Sequence, residues 1–420
     1  MGLKAGYKQT DVGLLPEAWD ARPLAMLSSL IPSGVYGEER ARAGLTAFRV
    51  ATTTHIDDDD SWNDREMRIR YFTSDQLARY TPAVGDLIVV KSSGSAASIK
   101  SGKIGRVGAN QAGTFVFSNF LMLLRPVHCE STFLYYYLTS FSVKRLRPSL
   151  VEASTYPNIR IGEYMDLRIP LPPLPEQRAI AGALGDVDAL LSSLTQLIAK
   201  KRDLKQAVLQ QLLTGKTRLP GFSGEWEEKR LGEVAALIKG RGLSKAQVCA
   251  AGTRPCVLYG ELFTTYGRVI TEVASKTTDE DGLPSQAGDV LVPGSTTTTG
   301  IDLATASALL QGGVALGGDI NVIRQRARSF DPVFLAYYLT HVMRWAIAEL
   351  AQGITIIHLY GRDLATLTLR IPGMAEQATI AAVLSDMDAE LAGVEQRLAK
   401  TRALKQGMMQ ELLTGRTRLV

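Results

Sequence analysis

Residues 176–219 read EQRAIAGALGDVDALLSSLTQLIAKKRDLKQAVLQQLLTGKTRL, and residues 376–419 read EQATIAAVLSDMDAELAGVEQRLAKTRALKQGMMQELLTGRTRL. The copies align without a gap at a constant offset of 200. An internal repeat of this length decides architecture before local propensity does. In the first copy Ile180, Leu184, Val187, Leu191, Leu194 and Ile198 recur at alternating steps of four and three. Ile380, Leu384, Met387, Leu391, Val394 and Leu398 repeat the pattern. That is a narrow heptad stripe, suited to pairing with another long helix. Lys201 and Thr401 interrupt it. It is expected to resume at Leu204, Val208 and Leu212, and at Leu404, Met408 and Leu412. A helix of about 35 residues would be roughly 50 Å long at about 1.5 Å per residue. Pro172, Pro173 and Pro175 mark the first start, and Gly215 and Gly415 serve as glycine caps at the ends.

Outward from the helices, the repeat continues more loosely. A turn-rich lead-in, YKQTDVGLLPEAW from Tyr7 to Trp19, is matched by LPGFSGEWEEKRLGEV from Leu219 to Val234, with Trp226 as its anchor. The apolar runs Asp86–Val90 and Phe115–Leu124 predict strands. Gly288–Val292 echoes Gly85–Val89, and Phe334–Thr340 echoes the helix predicted at Phe133–Thr139. Each irregular region leaves through a strand, Leu167–Pro170 or Leu369–Pro372, into its long helix. The expected fold class is α+β: two α/β domains separated by two long antiparallel helices in a pseudo-two-fold repeat. The expected boundaries are 1–170, 171–219, 220–370 and 371–420. Two equal helices paired antiparallel would put their domains at opposite ends. Two-fold proteins reach DNA half-sites about 34–36 Å apart, so dissimilar heads on such a rod would read a bipartite, asymmetric target.

Composition narrows the classes. The chain is 45% hydrophobic and 21% charged, with a formal net charge of +5, which permits a nucleic-acid partner. Three cysteines without metal-ligand spacing point to a reducing, cytoplasmic setting. Neither a leader pattern nor a membrane-length apolar run is evident.

These segments resemble the specificity subunits of type I restriction–modification systems. The resemblance is carried by YKQTDVGLLPEAW, LPPLPEQRAIAGALGDVDALL, LLTGKTRLPGFSGEWEEKRLGEV, LYGELFTTYGRVI, GGDINVIR, QGITIIHLYGRDL and LLTGRTRL. It covers essentially the whole chain and is looser over residues 30–115. It implies two target recognition domains that bind double-stranded DNA, and helical spacers that dock two methyltransferase subunits. A motor-nuclease (restriction) subunit joins through that complex. It implies no cofactor on this chain, and S-adenosylmethionine in the partner methyltransferases.

Other motifs point away from catalysis. Gly215-Lys216-Thr217 looks like the end of a P-loop, but it follows a helix and lacks the upstream glycine. Asp186 and Asp188, repeated as Asp386 and Asp388, lie two apart and so on different helix faces. His55 with Asp57–Asp60 reads as a solvated acidic loop. There is no Asn-Pro-Pro-aromatic methyltransferase motif and no glycine-rich cofactor loop. A DNA-modifying enzyme and a coiled-coil scaffold without a DNA role are the competing readings.

DNA contacts are expected in polar, basic loops. In the first domain these are Tyr36, Arg40, Arg42, Lys91, Ser92, Ser93, Ser95, Lys100 and Lys103, with Arg106 nearby. In the second they are Lys239, Arg241, Lys245, Tyr259, Thr264, Thr265, Tyr266, Arg268, Ser295, Thr296, Thr297 and Thr298. Lys, Arg and hydroxyl side chains suit phosphates, while Arg, Asn and Gln suit base edges.

Overall fold

In the computed structural model, residues 5–63, 65–95, 98–152 and 157–419 are described, apart from the side chain of Ser95. The chain divides into two compact units. The first joins residues 1–193 to 397–420, and the second is 194–396. Each unit holds one mixed domain, the first half of that domain's own long helix and the second half of the other helix.

In the first unit, four antiparallel strands lie in the order Ile104–Arg106, Leu87–Val90, Leu121–Pro126, Ser28–Ile31. Leu87–Val90 is buried at every residue, because both faces of this sheet are covered. Leu87, Val89, Met122 and Leu124 pack on Leu134 and Leu138 of the helix Ser131–Leu138. Ile88, Val90, Leu121 and Leu123 pack the other way, on Phe115 and Phe117. That is why the sequence reads as a continuous apolar run rather than an alternation. Phe115–Leu124, expected to be strand throughout, is two strands in two sheets. Val116–Phe117 runs parallel to Thr46–Ala51, which pairs with Arg68–Phe72.

The second unit repeats the frame. Ser307–Leu309, Asp289–Pro293, Ile320–Gln325 and Ala235–Lys239 take the same sheet order, with Val269–Ile270 added at one edge. Ala315–Leu316 is parallel to Arg254–Val257, as in the other unit. Both domains close the same turn at the start of the central strand. Asp86 takes two hydrogen bonds from Arg125 at 2.9 and 2.7 Å, and Asp289 takes two from Arg324 at 2.8 and 2.7 Å. The glycines before them have φ of +88° and +92°, a backbone that glycine adopts without strain.

The long helices span Leu174–Leu212 and Met374–Leu412. Gly215 and Gly415 lie beyond them with φ of +68° and +71°, as caps should. Within the first unit the helix halves run antiparallel. Asp188 pairs with Lys405 at 2.6 Å, and Glu176 accepts from Arg418 Nη2 at 2.7 Å. Within the second unit Asp388 pairs with Lys205 and Glu376 with Arg218. Each helix start also packs on its own domain: Ile180 and Leu184 join Phe133, Tyr136, Leu412 and Leu413, and Ile380 and Leu384 join Phe334, Tyr337, Leu212 and Leu213.

Two expectations about these helices need correction. Leu204 and Leu404 do not continue the stripe, being 57% and 58% exposed. The neighbouring Lys205 and Lys405 turn inward instead, to Asp388 and Asp188. Thr401 is no interruption either, since it is buried with its hydroxyl donating to the Arg397 carbonyl at 2.8 Å.

The helix ends are seated on the lead-ins. Trp19 Nε1 donates to Glu176 at 2.9 Å, and the Arg418 guanidinium lies 5.9 Å from the Trp19 ring centre. Trp226 takes the matching place, 6.0 Å from Arg218, but its Nε1 has no hydrogen-bond partner among the described residues.

Candidate nucleic-acid interface

In each domain the chain leaves the central strand into a cluster of polar loops. The first unit builds this cluster from Ser33, Lys91–Ser93, Phe120 and Asn158. Lys91 N–H donates to the Phe120 carbonyl at 2.9 Å, and Lys91 Nζ reaches Ser33 Oγ at 3.1 Å. Ile159 N–H returns to the Lys91 carbonyl at 2.9 Å. Gly34 must be glycine, since a Cβ there would overlap the Phe117 carbonyl oxygen. Burial lowers the pKa of the Lys91 ammonium from its ordinary value.

The second unit has the same wiring with other side chains. Gly294 N–H donates to the Asp319 carbonyl at 2.6 Å, Leu359 N–H to Gly294 at 2.9 Å, and Gly240 N–H to Ile320 at 2.8 Å. A Cβ at Gly240 would overlap the Gly317 carbonyl oxygen. Gly294 therefore stands where the first unit has Lys91, Lys239 where it has Ser33, and Asp319 where it has Phe120. Lys239 Nζ faces Asp319 at 3.3 Å, and Ser295 Oγ donates to the same carboxylate at 3.2 Å. A recess beside them is lined by Lys239, Asp319, Asn321, His358, Tyr360 and Arg362. Buried Asn321 donates to the Leu359 carbonyl at 2.9 Å and fixes that wall. The frame is shared and the chemistry at its rim is not.

The expected contact residues fall into several places. Lys91, Ser92 and Ser93 belong to the first cluster, though Ser92 is buried and bridged to Asn158. Ser95 lies in a short strand, Gly94–Ser95, and its side chain is outside the described residues. Lys100 is exposed, whereas Lys103 is buried and held by Asp58. Tyr36 lies under Arg70, 4.5 Å from ring centre to guanidinium carbon; Arg40 is exposed, and Arg42 pairs with Glu38 at 3.1 Å.

In the second unit, Lys239, Ser295, Thr296, Thr297 and Thr298 gather at the strand ends, with Ser295 and Thr296 buried. Arg241 and Lys245 are exposed on the loop that follows. Tyr259, Thr264 and Thr265 are exposed around the short helix Glu261–Thr264, and Tyr266 accepts from the Ala274 N–H at 3.0 Å. Arg268 is turned away from the strand ends. It donates to Thr340 Oγ1 at 2.7 Å, and burial lowers its pKa.

Sequence reasoning missed Ser33, Phe120, Asn158, Asp319, His358, Tyr360 and Arg362. The strand echo could have found the first four, because it aligns the turns around the central strand.

The other motifs resolve structurally. The acidic loop is solvated at Asp58 and Asp59, but not at Asp60, which is wholly buried and binds Lys144 at 2.6 Å and Arg147 at 2.8 Å. His55 is buried beside Thr52. Among the described residues no group of His, Cys, Asp or Glu could hold a metal ion. Asp186 is exposed, while Asp188 accepts from the Tyr136 hydroxyl at 2.7 Å. Tyr337 donates to Asp388 in the same way. No helix of the described residues is long and apolar enough to cross a membrane.

Comparison with known proteins accounts for this duplicated architecture. A family model described as the type I restriction modification DNA specificity domain matches residues 69–202 and 223–401. The chain belongs to that family, and its role is that of a DNA sequence-specificity subunit; catalysis in such systems lies in partner subunits. The putative type I restriction enzyme MjaX specificity subunit of Methanocaldococcus jannaschii is 23% identical over 98% of this chain and 97% of its own. The MjaVIII specificity subunit of the same organism is 24% identical over 66% of this chain and 69% of its own.

Among solved structures, the type I restriction–modification S subunit from M. genitalium superposes with a TM-score of 0.58 at 16% identity. It covers 98% of each chain. A chain from a study of complex assembly and conformational transition of the type I R-M system gives 0.53 at 18% identity. That match covers 96% of this chain and 99% of the other. Both show the fold.

Proposed function

We propose that the two domains, residues 1–170 and 220–370, each read one half of a bipartite, asymmetric double-stranded DNA target. The spacer segments 171–219 and 371–420 dock two methyltransferase subunits. Restriction subunits join through those partners, S-adenosylmethionine is bound by the methyltransferases, and the complex works in the cytoplasm.

The observation that carries this reading is one frame with two rims. The same backbone hydrogen bonds present Lys91 and Ser33 in one domain, and Lys239 and Asp319 in the other. Phosphate contacts fix register and base-edge contacts carry sequence, so a conserved frame with different rim donors and acceptors suits two different half-sites. Two equal partner sites are supported by exposed apolar residues at matched positions, Leu204 at 57% and Leu404 at 58%.

The test is methylome sequencing of a host with and without the gene. One bipartite N6-methyladenine motif disappears with the gene; an unchanged methylome refutes the proposal. Purified with its methyltransferase, the chain is expected to carry two partner copies.

A further inference from the structure

Ile354 is 98% exposed at the tip of a closed loop in the second unit. The loop is firmly based. Gln352 and His358 exchange both backbone hydrogen bonds, at 2.9 and 2.7 Å. Ile357–His358 pairs as a strand with Ser295–Thr296, and Gln352 Nε2 reaches Asp363 at 3.3 Å. Gly353 makes the turn at φ +129°, where a Cβ would overlap the Ile356 carbonyl oxygen. Ile356 is itself 50% exposed. A chain that holds two isoleucines in water forgoes about 1.5–3 kcal/mol for each side chain it could have buried.

The surroundings point to an occupant. The loop springs from the recess that holds Lys239, Asp319 and Arg362. Arg362 is 76% exposed and lies over Tyr360, which stacks on His358. Exposed Thr297, Thr298 and Thr299 follow the strand paired with the loop. The cations here sit in exposed ion pairs, Lys239 with Asp319 at 3.3 Å and Arg362 with Asp363 at 3.5 Å, and Thr298 and Thr299 donate to Asp302. An apolar tip on a hydrogen-bonded base, beside cations that can exchange a carboxylate for a phosphate, has the make-up of a DNA wedge, whose apolar side chain enters between base pairs.

We propose that Ile354, backed by Ile356, inserts at one base step of the half-site read by the second unit and unstacks it. Pyrimidine–purine steps unstack most easily, so that half-site contains such a step, selected through deformability rather than hydrogen bonds. This rests on the reading of one half-site per unit.

The test uses the full chain assembled with its methyltransferase subunits, and duplexes of the mapped target carrying 2-aminopurine at successive positions. Methyltransferases flip their target adenine out of the stack whatever Ile354 does, so the methylated adenines and their neighbours are left unlabelled. At the remaining positions fluorescence is expected to rise at one pyrimidine–purine step on binding. Ile354→Ser abolishes the rise and weakens binding about tenfold, while Ile354→Met keeps both. No rise at any position with the unaltered chain, or a rise that survives Ile354→Ser, overturns the proposal. So does weaker binding by Ile354→Ser with no rise in the unaltered complex, which would place Ile354 against a thymine methyl in an undistorted groove. A rise abolished by Ile354→Ser, but located in the half-site that changes when residues 20–170 are exchanged, supports the wedge and refutes one half-site per unit.

Discussion

Replacing Arg418 by alanine tests how the second long helix is seated on the first unit. Glu176 is 1% exposed and accepts hydrogen bonds from the Arg418 guanidinium and from Trp19 Nε1. Removing the arginine leaves a buried carboxylate with a single neutral donor. Breaking a buried pair from one side costs about 3–5 kcal/mol. The Arg418 side chain keeps 27% exposure, so water reaches the site and the loss belongs at the low end, about 3 kcal/mol. Urea unfolding of the full chain measures it, with hydrogen exchange over residues 5–19 and 404–419 reporting the location. Adding Glu176→Gln to Arg418→Ala is expected to recover part of the loss, because the stranded charge is gone. Trp19→Phe removes a hydrogen bond to a carboxylate, worth about 1.5–3 kcal/mol, on top of the packing lost with the buried indole. Trp226→Phe loses the packing but no hydrogen bond, since the Trp226 Nε1 has no partner among the described residues, and so costs less. Arg418→Ala within about 0.5 kcal/mol of the unaltered chain would refute the reasoning, since such a pair would behave like a surface ion pair.

Three further outcomes are expected. Lys91→Ala weakens DNA binding by the assembled complex and lowers the slope of log K against log salt by about one; unchanged affinity at several salt concentrations removes Lys91 from the interface. His341 is held to a pKa of about 4, first by burial and then by Arg268 and Lys205, below the ordinary imidazole value of about 6.5. The unfolded chain therefore binds the proton first, and stability falls as pH drops from about 6.5 towards 4. His341→Gln flattens that part of the stability curve. Leu204→Asp and Leu404→Asp are each expected to cost one methyltransferase subunit in native mass measurements without lowering thermal stability.

Much of the frame was legible because it rests on short-range patterns. The gapless repeat at Glu176 and Glu376, the heptad stripe, the capping glycines and the apolar runs around Leu87 and Val290 all follow from periodicity and turn chemistry. Departures occur where distant residues decide. Nothing local to Asp60 reveals that Lys144 and Arg147 arrive to bury it, so it reads like its exposed neighbours Asp58 and Asp59. Leu204 is apolar but lies one position off the heptad, which runs from Ile198 to Lys205 and on to Leu212. Lys205 fills that place by reaching Asp388, and Leu204 is left outside.

The interface was legible only in part. Lys91 and Ser295 stand where the strand echo puts them. Arg268 is basic in a polar stretch and yet faces Thr340. Residue type alone cannot separate a loop that meets a ligand from one that meets its own helix. Ile354 escaped notice because an apolar run in sequence looks the same whether it is core or fully exposed.

Exchange of residues 20–170 for those of another specificity subunit, followed by methylome sequencing, tests most directly whether each unit reads its own half-site. One half of the methylated motif is expected to change while the other half stays the same. Change in both halves, or in neither, would contradict the account.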